Sequence, residues 1–316
     1  MHNRTPVVFV ILPAVIFSAC LNKPETSAQG PAATPQAAST PAPQQGGSDA
    51  ELAARLKVIC EKAGGRCGVA VTHVESGRGA ASGGDAPLPL YSVFKLPLAV
   101  EVLKGVEEGR WQLDQKVHVE PGEAAPGVEE NSALWRKPSD RTLRELIELS
   151  IARSDNTSSD KMLELVGGPE AVTRRMRALG LNNIEVRSNV KEFLKSRDAA
   201  HPNTGAAGDL ARLLALIQKG EALGPPQRDL LLAVMARTVT GDRRLRAGVP
   251  AGTPVGDKTG SGPATTNDVG LITLPGDRGH LALAVLLDGS KLPVAKQEDL
   301  IAEVARAAYD AHAVGR

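Results

Sequence analysis

The chain has 316 residues, a formal net charge of +1 and 42% hydrophobic residues. That length and apolar content support one large domain or two small ones with a sizeable core. The near-neutral charge argues against nucleic-acid binding, and 3% aromatic content leaves little for base stacking.

Residues 1–20 carry Arg4, an apolar run Val7–Phe17, then Ser18-Ala19 before Cys20. This is the pattern of a secretory signal, and it is too short for a comfortable membrane span. The cysteine after small residues resembles a bacterial lipoprotein cleavage site, which would make Cys20 a lipid anchor. Residues 21–49 are rich in Pro, Ala, Gln, Ser and Thr, have almost no large apolar side chains and read as a flexible tether. Residues 50–316 form the expected catalytic domain. Cys60 and Cys67 flank a helix end and a turn, and spacing leaves a disulfide there open. The six histidines do not cluster, so neither a metal nor another cofactor is expected.

Asp49 to Ala63 has helical spacing of Leu52, Leu56 and Ile59, with Asp49 as N-cap. Cys67–Val74 alternates as a strand, and a second short strand is expected before Tyr91. Leu96–Val106 is a strongly apolar, buried helix beginning at Ser92. Arg141–Arg153 is amphipathic, started by Ser139-Asp-Arg-Thr and ending at Ser154. Pro169–Leu179 is helical with Gly180 as its stop. Helices are also expected at Asp209–Lys219, Pro226–Met235 and Glu298–His312, and strands at Pro254–Lys258, Asn267–Leu274 and His280–Asp288. The first and last strands must pair across a helical middle to make one sheet. A separate helical lobe and a cleft between the two follow.

Three motifs fall at element ends: Ser92-Val-Phe-Lys95, Ser154-Asp155-Asn156 and Lys258-Thr259-Gly260. A serine hydroxyl needs a base to become a nucleophile. On a helix starting near Ser92, Lys95 lies on the same face. Lysine serves as a base once burial or a nearby cation lowers its pKa, and the apolar surroundings and Lys258 supply both conditions. The backbone N–H of Ser92 at a helix start can stabilise an oxyanion. Ser-x-x-Lys alone is weak, since it recurs at Ser158–Lys161 and Ser188–Lys191. The two tripeptides, each occurring once and in order, make the case.

This motif set resembles that of class A serine β-lactamases, part of the penicillin-recognising serine acyl-transferase family. The resemblance runs from about Ala50 to Val314 and includes Ile151-Ala-Arg-Ser-Asp-Asn-Thr, Val166-Gly-Gly-Pro169 and Pro250-Ala-Gly-Thr. It implies an α+β fold, an α/β/α sandwich whose five-stranded antiparallel sheet is flanked by helices, with an inserted all-helical lobe. It also implies hydrolysis of penicillin- and cephalosporin-type antibiotics, hence resistance, with no cofactor and a monomeric, exported, periplasmic or cell-surface enzyme. Ser92 would be acylated, Lys95 would assist proton transfer and Ser154 would pass the proton to the leaving nitrogen. Asn156 would hold the substrate amide, Lys258 and Thr259 its carboxylate, and the N–H groups of Ser92 and Ser261 would make the oxyanion hole. Many relatives carry an arginine shortly after the third motif. Counting to that place gives Asn267, whereas Thr240-Gly-Asp-Arg-Arg-Leu-Arg-Ala-Gly resembles the variant with an upstream arginine, here Arg244.

The family's deacylating Glu-Pro-x-Leu-Asn pattern is absent. Ungapped counting from Ser154 puts Val190 at the base position. Glu192 is the favoured substitute, and Glu185 with Asn189 is the second choice. Alternatives to a β-lactamase are a DD-peptidase or related serine hydrolase, and a penicillin-binding protein with little turnover.

Overall fold

The structure is a computed structural model and describes residues 49–195 and 202–313, all within the unit Gln45–Arg316. The signal segment, Cys20 and the tether as far as residue 48 lie outside the described residues.

In chain order, α1 (Ala50–Glu61) leads to strands β1 (Arg66–His73) and β2 (Gly79–Ser82). Asp49 caps α1 by accepting from Leu52 N at 3.2 Å. A two-residue strand β3 (Leu88–Pro89) precedes a 3-10 turn, Tyr91–Phe94, and α2 (Lys95–Glu107). Then come β4 (Lys116–Val119), α3 (Glu129–Ser132), β5 (Ser139–Thr142), α4 (Leu143–Ala152), α5 (Asn156–Leu165) and α6 (Pro169–Ala178). The short β6 (Ile184–Glu185), α7 (Val190–Lys195) and β7 (Thr204–Gly205) follow. The chain continues through α8 (Ala207–Lys219) and α9 (Pro225–Ala236), and closes with β8 (Val255–Gly262), β9 (Thr265–Thr273), β10 (His280–Asp288) and α10 (Val294–Ala313).

The main sheet has five strands in the order β2-β1-β10-β9-β8, every pair antiparallel. Alternation along β10 explains how it is covered on both faces. Leu281, Leu283, Val285 and Leu287 point to one side, where they pack with Leu52, Leu56 and Ile59 of α1 and Ile301 and Val304 of α10. Ala282, Ala284 and Leu286 point to the other side, and the small alanines let α8 approach with Leu210, Leu213 and Leu214. On that side lies the helical lobe. Its centre is α2, whose Leu96, Leu98, Val100, Val102 and Leu103 are all fully buried, as expected of a helix that is apolar all round.

The expected fold is therefore present, with local differences. The helix expected from Arg141 begins only at Leu143, because Thr142 and Glu145 form a capping box and Ser139–Thr142 is a strand paired with β4. Helix α5, directly after Ser154, was not expected. Cys60 and Cys67 form a disulfide, with Cα atoms 5.5 Å apart. Trp135 is buried, its Nε1 donating to Asp155 Oδ2 at 3.2 Å.

Candidate active site

Ser92 lies in the 3-10 turn between β3 and α2, next to Tyr91, whose φ is +46°. Such a value is uncommon outside glycine and marks a turn held by its surroundings. The holding groups can be named. Asn267 Nδ2 donates to Pro89 O at 2.8 Å and to Leu90 O at 3.2 Å, while its Oδ1 accepts from Leu287 N at 3.1 Å. Leu90 N donates to Asn203 O at 2.8 Å. Gly260 of β8 passes so close that a Cβ there would stand 2.3 Å from Leu90 O. The glycine of the third motif thus lets β8 lie directly against the serine turn.

The second motif is also built by local chemistry. Helix α4 stops at Arg153, Ser154 takes φ +55°, and Asp155 starts α5 as its N-cap. Asp155 Oδ1 accepts from Ser158 N at 2.7 Å and Ser158 Oγ at 2.6 Å. The middle residue of this motif is therefore structural, and its cap turns Ser154 and Asn156 toward Lys95.

Two lysines meet at Ser154. Lys95 Nζ donates to Ser154 O at 2.7 Å and Asn156 Oδ1 at 2.7 Å, and lies 3.4 Å from Ser154 Oγ. Lys258 Nζ donates to Ser154 Oγ at 3.0 Å and Thr259 O at 2.8 Å. Both side chains are fully buried. Burial and the charge of Lys258 bring the Lys95 pKa well below that of a free lysine, against the pull of Asp155 and Asp160. Burial brings Lys258 down to about 7, assisted by Arg244 and opposed by Asp257 and Asp268. Among the described residues no hydrogen bond joins Lys95 Nζ to Ser92 Oγ. The sequence expectation was that Lys95 touches Ser92; its amine is instead directed at Ser154 and Asn156.

The remaining candidates gather around these groups, with two exceptions. Asn156 Nδ2 donates to Pro126 O at 2.5 Å, which fixes its amide oxygen on Lys95. Thr259 Oγ1 is 2.7 Å from Thr240 Oγ1. Ser92, Asn156 and Ser261 line an open cleft, together with Phe94, Val190, Phe193 and Leu194. Arg244 is buried and does not line that cleft. Its Nη2 donates to Ser261 Oγ at 2.7 Å, its Nη1 to Asn267 O at 2.8 Å and its Nε to Glu298 Oε1 at 3.2 Å. Its guanidinium is thus engaged by Ser261, the backbone carbonyls of Gly260 and Asn267, and Glu298.

Glu192, expected as a base, is exposed on α7 and faces a different depression beside Glu123, Asp160 and Lys191. Glu185 is paired with Arg187 at 2.6 Å in β6. Neither carboxylate is on the Ser92 cleft, and Val190 lines it instead. The physical reason is the helical turn at Val190: with Val190 facing inward, a side chain two positions later points away. Asn189 caps this turn, accepting from Glu192 N at 2.7 Å.

Sequence reasoning missed three residues that shape the site. Asp160 accepts from Val190 N at 2.8 Å and Lys191 N at 2.9 Å, and so seats α7. Its signal was its place one helical turn after Asn156. Asn267 was noted only as a place without arginine, and Asn203 carried no signal at all.

A serine on a held turn at a cleft, with two buried lysines converging on a second serine hydroxyl, is the arrangement of a serine acyl-transfer site. The profile of the β-lactamase enzyme family matches residues 51–312. A β-lactamase of Streptomyces albus G is 34% identical over 270 residues, covering 82% of this chain and 83% of that protein. β-Lactamase AST-1 of Nocardia asteroides is 35% identical, covering 78% of this chain and 79% of its own length. The crystal structure of a β-lactamase from Chitinophaga pinensis superposes with a TM-score of 0.79 at 32% identity, covering 83% of this chain and 99% of the other. The chain belongs to the β-lactamase enzyme family, as a class A serine enzyme.

Proposed function

We propose that Ser92 is the nucleophile of this β-lactam hydrolase and that the lysine-bridged Ser154 is its proton carrier. The observation that supports this most is the placement of Ser154 Oγ within 3.4 Å of Lys95 Nζ and 3.0 Å of Lys258 Nζ. Ser92 Oγ attacks the lactam carbonyl and Lys95 in its neutral form receives the proton. Ser154 delivers a proton to the ring nitrogen as the C–N bond breaks. The N–H groups of Ser92 and Ser261 face the developing oxyanion. Asn156 holds the substrate's side-chain amide. Lys258 and Thr259 bind the carboxylate, with Ser261 oriented by Arg244.

The test is mass spectrometry of the protein mixed with benzylpenicillin. A penicilloyl adduct on Ser92 that gives way to opened product is expected, and Ser92→Ala should show none. An adduct on another residue would overturn the assignment.

Export is part of the same proposal. Cys20 becomes the lipidated N-terminal residue and residues 21–49 tether the enzyme to the membrane. Among the described residues no helix is long and apolar enough to cross one. Labelled palmitate incorporation that disappears in Cys20→Ser is expected. Incorporation that survives the substitution would refute the anchor.

A further inference from the structure

An acyl-enzyme must also be hydrolysed, and the water needs a base within reach of Ser92. Every carboxylate near the cleft among the described residues is committed elsewhere. Asp155 is bound by Ser158 and Trp135, and Asp160 spends both oxygens on Val190 N and Lys191 N. Glu185 is paired with Arg187, and Glu192 opens onto the other depression. Among the described residues, Val190, Phe193 and Leu194 line the cleft with Ser92 and offer no group able to take a proton.

The hydrogen bonds at Ser154 leave one acceptor open. A neutral lysine amine has two hydrogens and a lone pair. Lys95 Nζ points at two pure acceptors at 2.7 Å, Ser154 O and Asn156 Oδ1, which use both hydrogens. As an ammonium Lys95 would give its third hydrogen to Ser154 Oγ at 3.4 Å, so in the neutral amine the lone pair is left facing that hydroxyl. Lys258 donates to the same oxygen at 3.0 Å, which turns the Ser154 proton toward Lys95.

We infer that in this chain the Ser154–Lys95 pair, rather than a glutamate, activates the water that releases the acyl group. This rests on the acyl-enzyme reading above. Water enters the face vacated by the leaving nitrogen. Its oxygen bonds to the acyl carbon as its proton passes to Ser154 Oγ and the Ser154 proton passes to Lys95 Nζ. The tetrahedral intermediate then breaks the C–O bond to Ser92, and the proton returns through Ser154 to Ser92 Oγ. The products are the free serine and the ring-opened acid. One proton relay thus runs forward for the leaving nitrogen and again for water. Burial beside Lys258 from β8 favours the neutral form of Lys95, although Asp155 and Asp160 from the α5 side oppose this. The carboxylate of the bound acyl group keeps Lys258 an ammonium.

The experiment isolates the benzylpenicilloyl adduct by rapid desalting and follows its loss by mass spectrometry between pH 5 and 9. Wild-type adduct loss should accelerate as pH rises and Lys95 sheds its proton. Ser154→Ala should lengthen the adduct lifetime about 100-fold, the scale of general base catalysis. Glu192→Gln and Glu185→Gln should leave it unchanged. Val190→Glu, which puts a carboxylate on the wall, should shorten it. A pH-independent wild-type rate, or a rate abolished by either glutamine variant, would overturn the relay while leaving the β-lactam acylation intact. If Ser154→Ala forms no adduct, the wild-type pH profile decides. Failure of wild-type protein to acylate would instead sink the proposed function and the relay together.

Discussion

The side chain missing at Gly260 does as much for the site as those present at Lys258 and Thr259. A methyl group there would meet Leu90 O at 2.3 Å and Val93 N at 3.1 Å, both backbone atoms that cannot swing aside. Gly260→Ala should therefore separate β8 from the Ser92 turn. Displacement of about an ångström at a reacting centre costs about 100-fold in rate. We expect kcat/KM for a chromogenic cephalosporin to fall by that order with the far-ultraviolet circular dichroism unchanged. An active Gly260→Ala enzyme would show that the close approach is incidental. Lys258 gives a second prediction at this scale. Its pKa of about 7 means that the ammonium, which we propose binds the substrate carboxylate, is lost as pH rises through neutrality. kcat/KM reports the free enzyme, so it should decline above about pH 7. Arginine keeps its charge throughout this range, and Lys258→Arg should move the alkaline decline beyond pH 9. An unmoved decline in the variant would assign it to another group.

Between the side chains and the cleft stand short elements held by a few specific contacts, and α7 is the clearest. Its first N–H groups are satisfied by Asp160, a residue of α5 rather than of the loop itself. Losing such a helix-start acceptor typically costs about 0.5–2 kcal/mol. Asp160→Ala should lower stability within that range in urea unfolding and raise KM more than it lowers kcat, because α7 carries the cleft wall of Val190, Phe193 and Leu194. A variant with native KM would show that α7 is held by other contacts. This element also marks where sequence reasoning ended. Apolar alternation made β10 and β1 legible, and a Ser-x-x-Lys pattern followed in order by two tripeptides that each occur once made Ser92, Lys95, Ser154 and Lys258 legible. Helix α5 was hidden because Asn156-Thr-Ser-Ser reads as a turn. Yet Thr157, Ser158 and Ser159 are buried, with Ser159 Oγ donating to Asp155 O at 2.6 Å and Ser158 Oγ to Asp155 Oδ1. The β4–β5 pair was hidden because its two four-residue strands find each other across the intervening α3 segment. The direction of Glu192 was hidden because it depends on where α7 begins, which Asp160 sets from a distance in the chain.

Across the whole described domain, strands from opposite ends of the chain must pair before the cleft exists. β1 lies against β10 over eight residue pairs, Arg66↔Asp288 to His73↔Leu281, and α1 packs on α10 behind them. The site is remote from this seam, yet it depends on it, since β8 and β9 are ordered on β10. The Cys60–Cys67 disulfide ties the end of α1 to the start of β1 at that seam. Loop-closure entropy for so short a ring corresponds to about 2.5 kcal/mol. Replacing both cysteines by serine should lower Tm by about 5–10 °C, at about 2–4 °C per kcal/mol for a domain of this size. Because neither cysteine touches the cleft, kcat/KM at 25 °C should be unchanged, and reductant should reproduce the loss of Tm in the wild-type chain alone. An unchanged Tm would mean that packing of α1 on β1 and α10 already holds the seam, leaving the bond redundant. A loss of kcat/KM at 25 °C would mean instead that the seam and the Ser92 turn are mechanically coupled through β10 and β9.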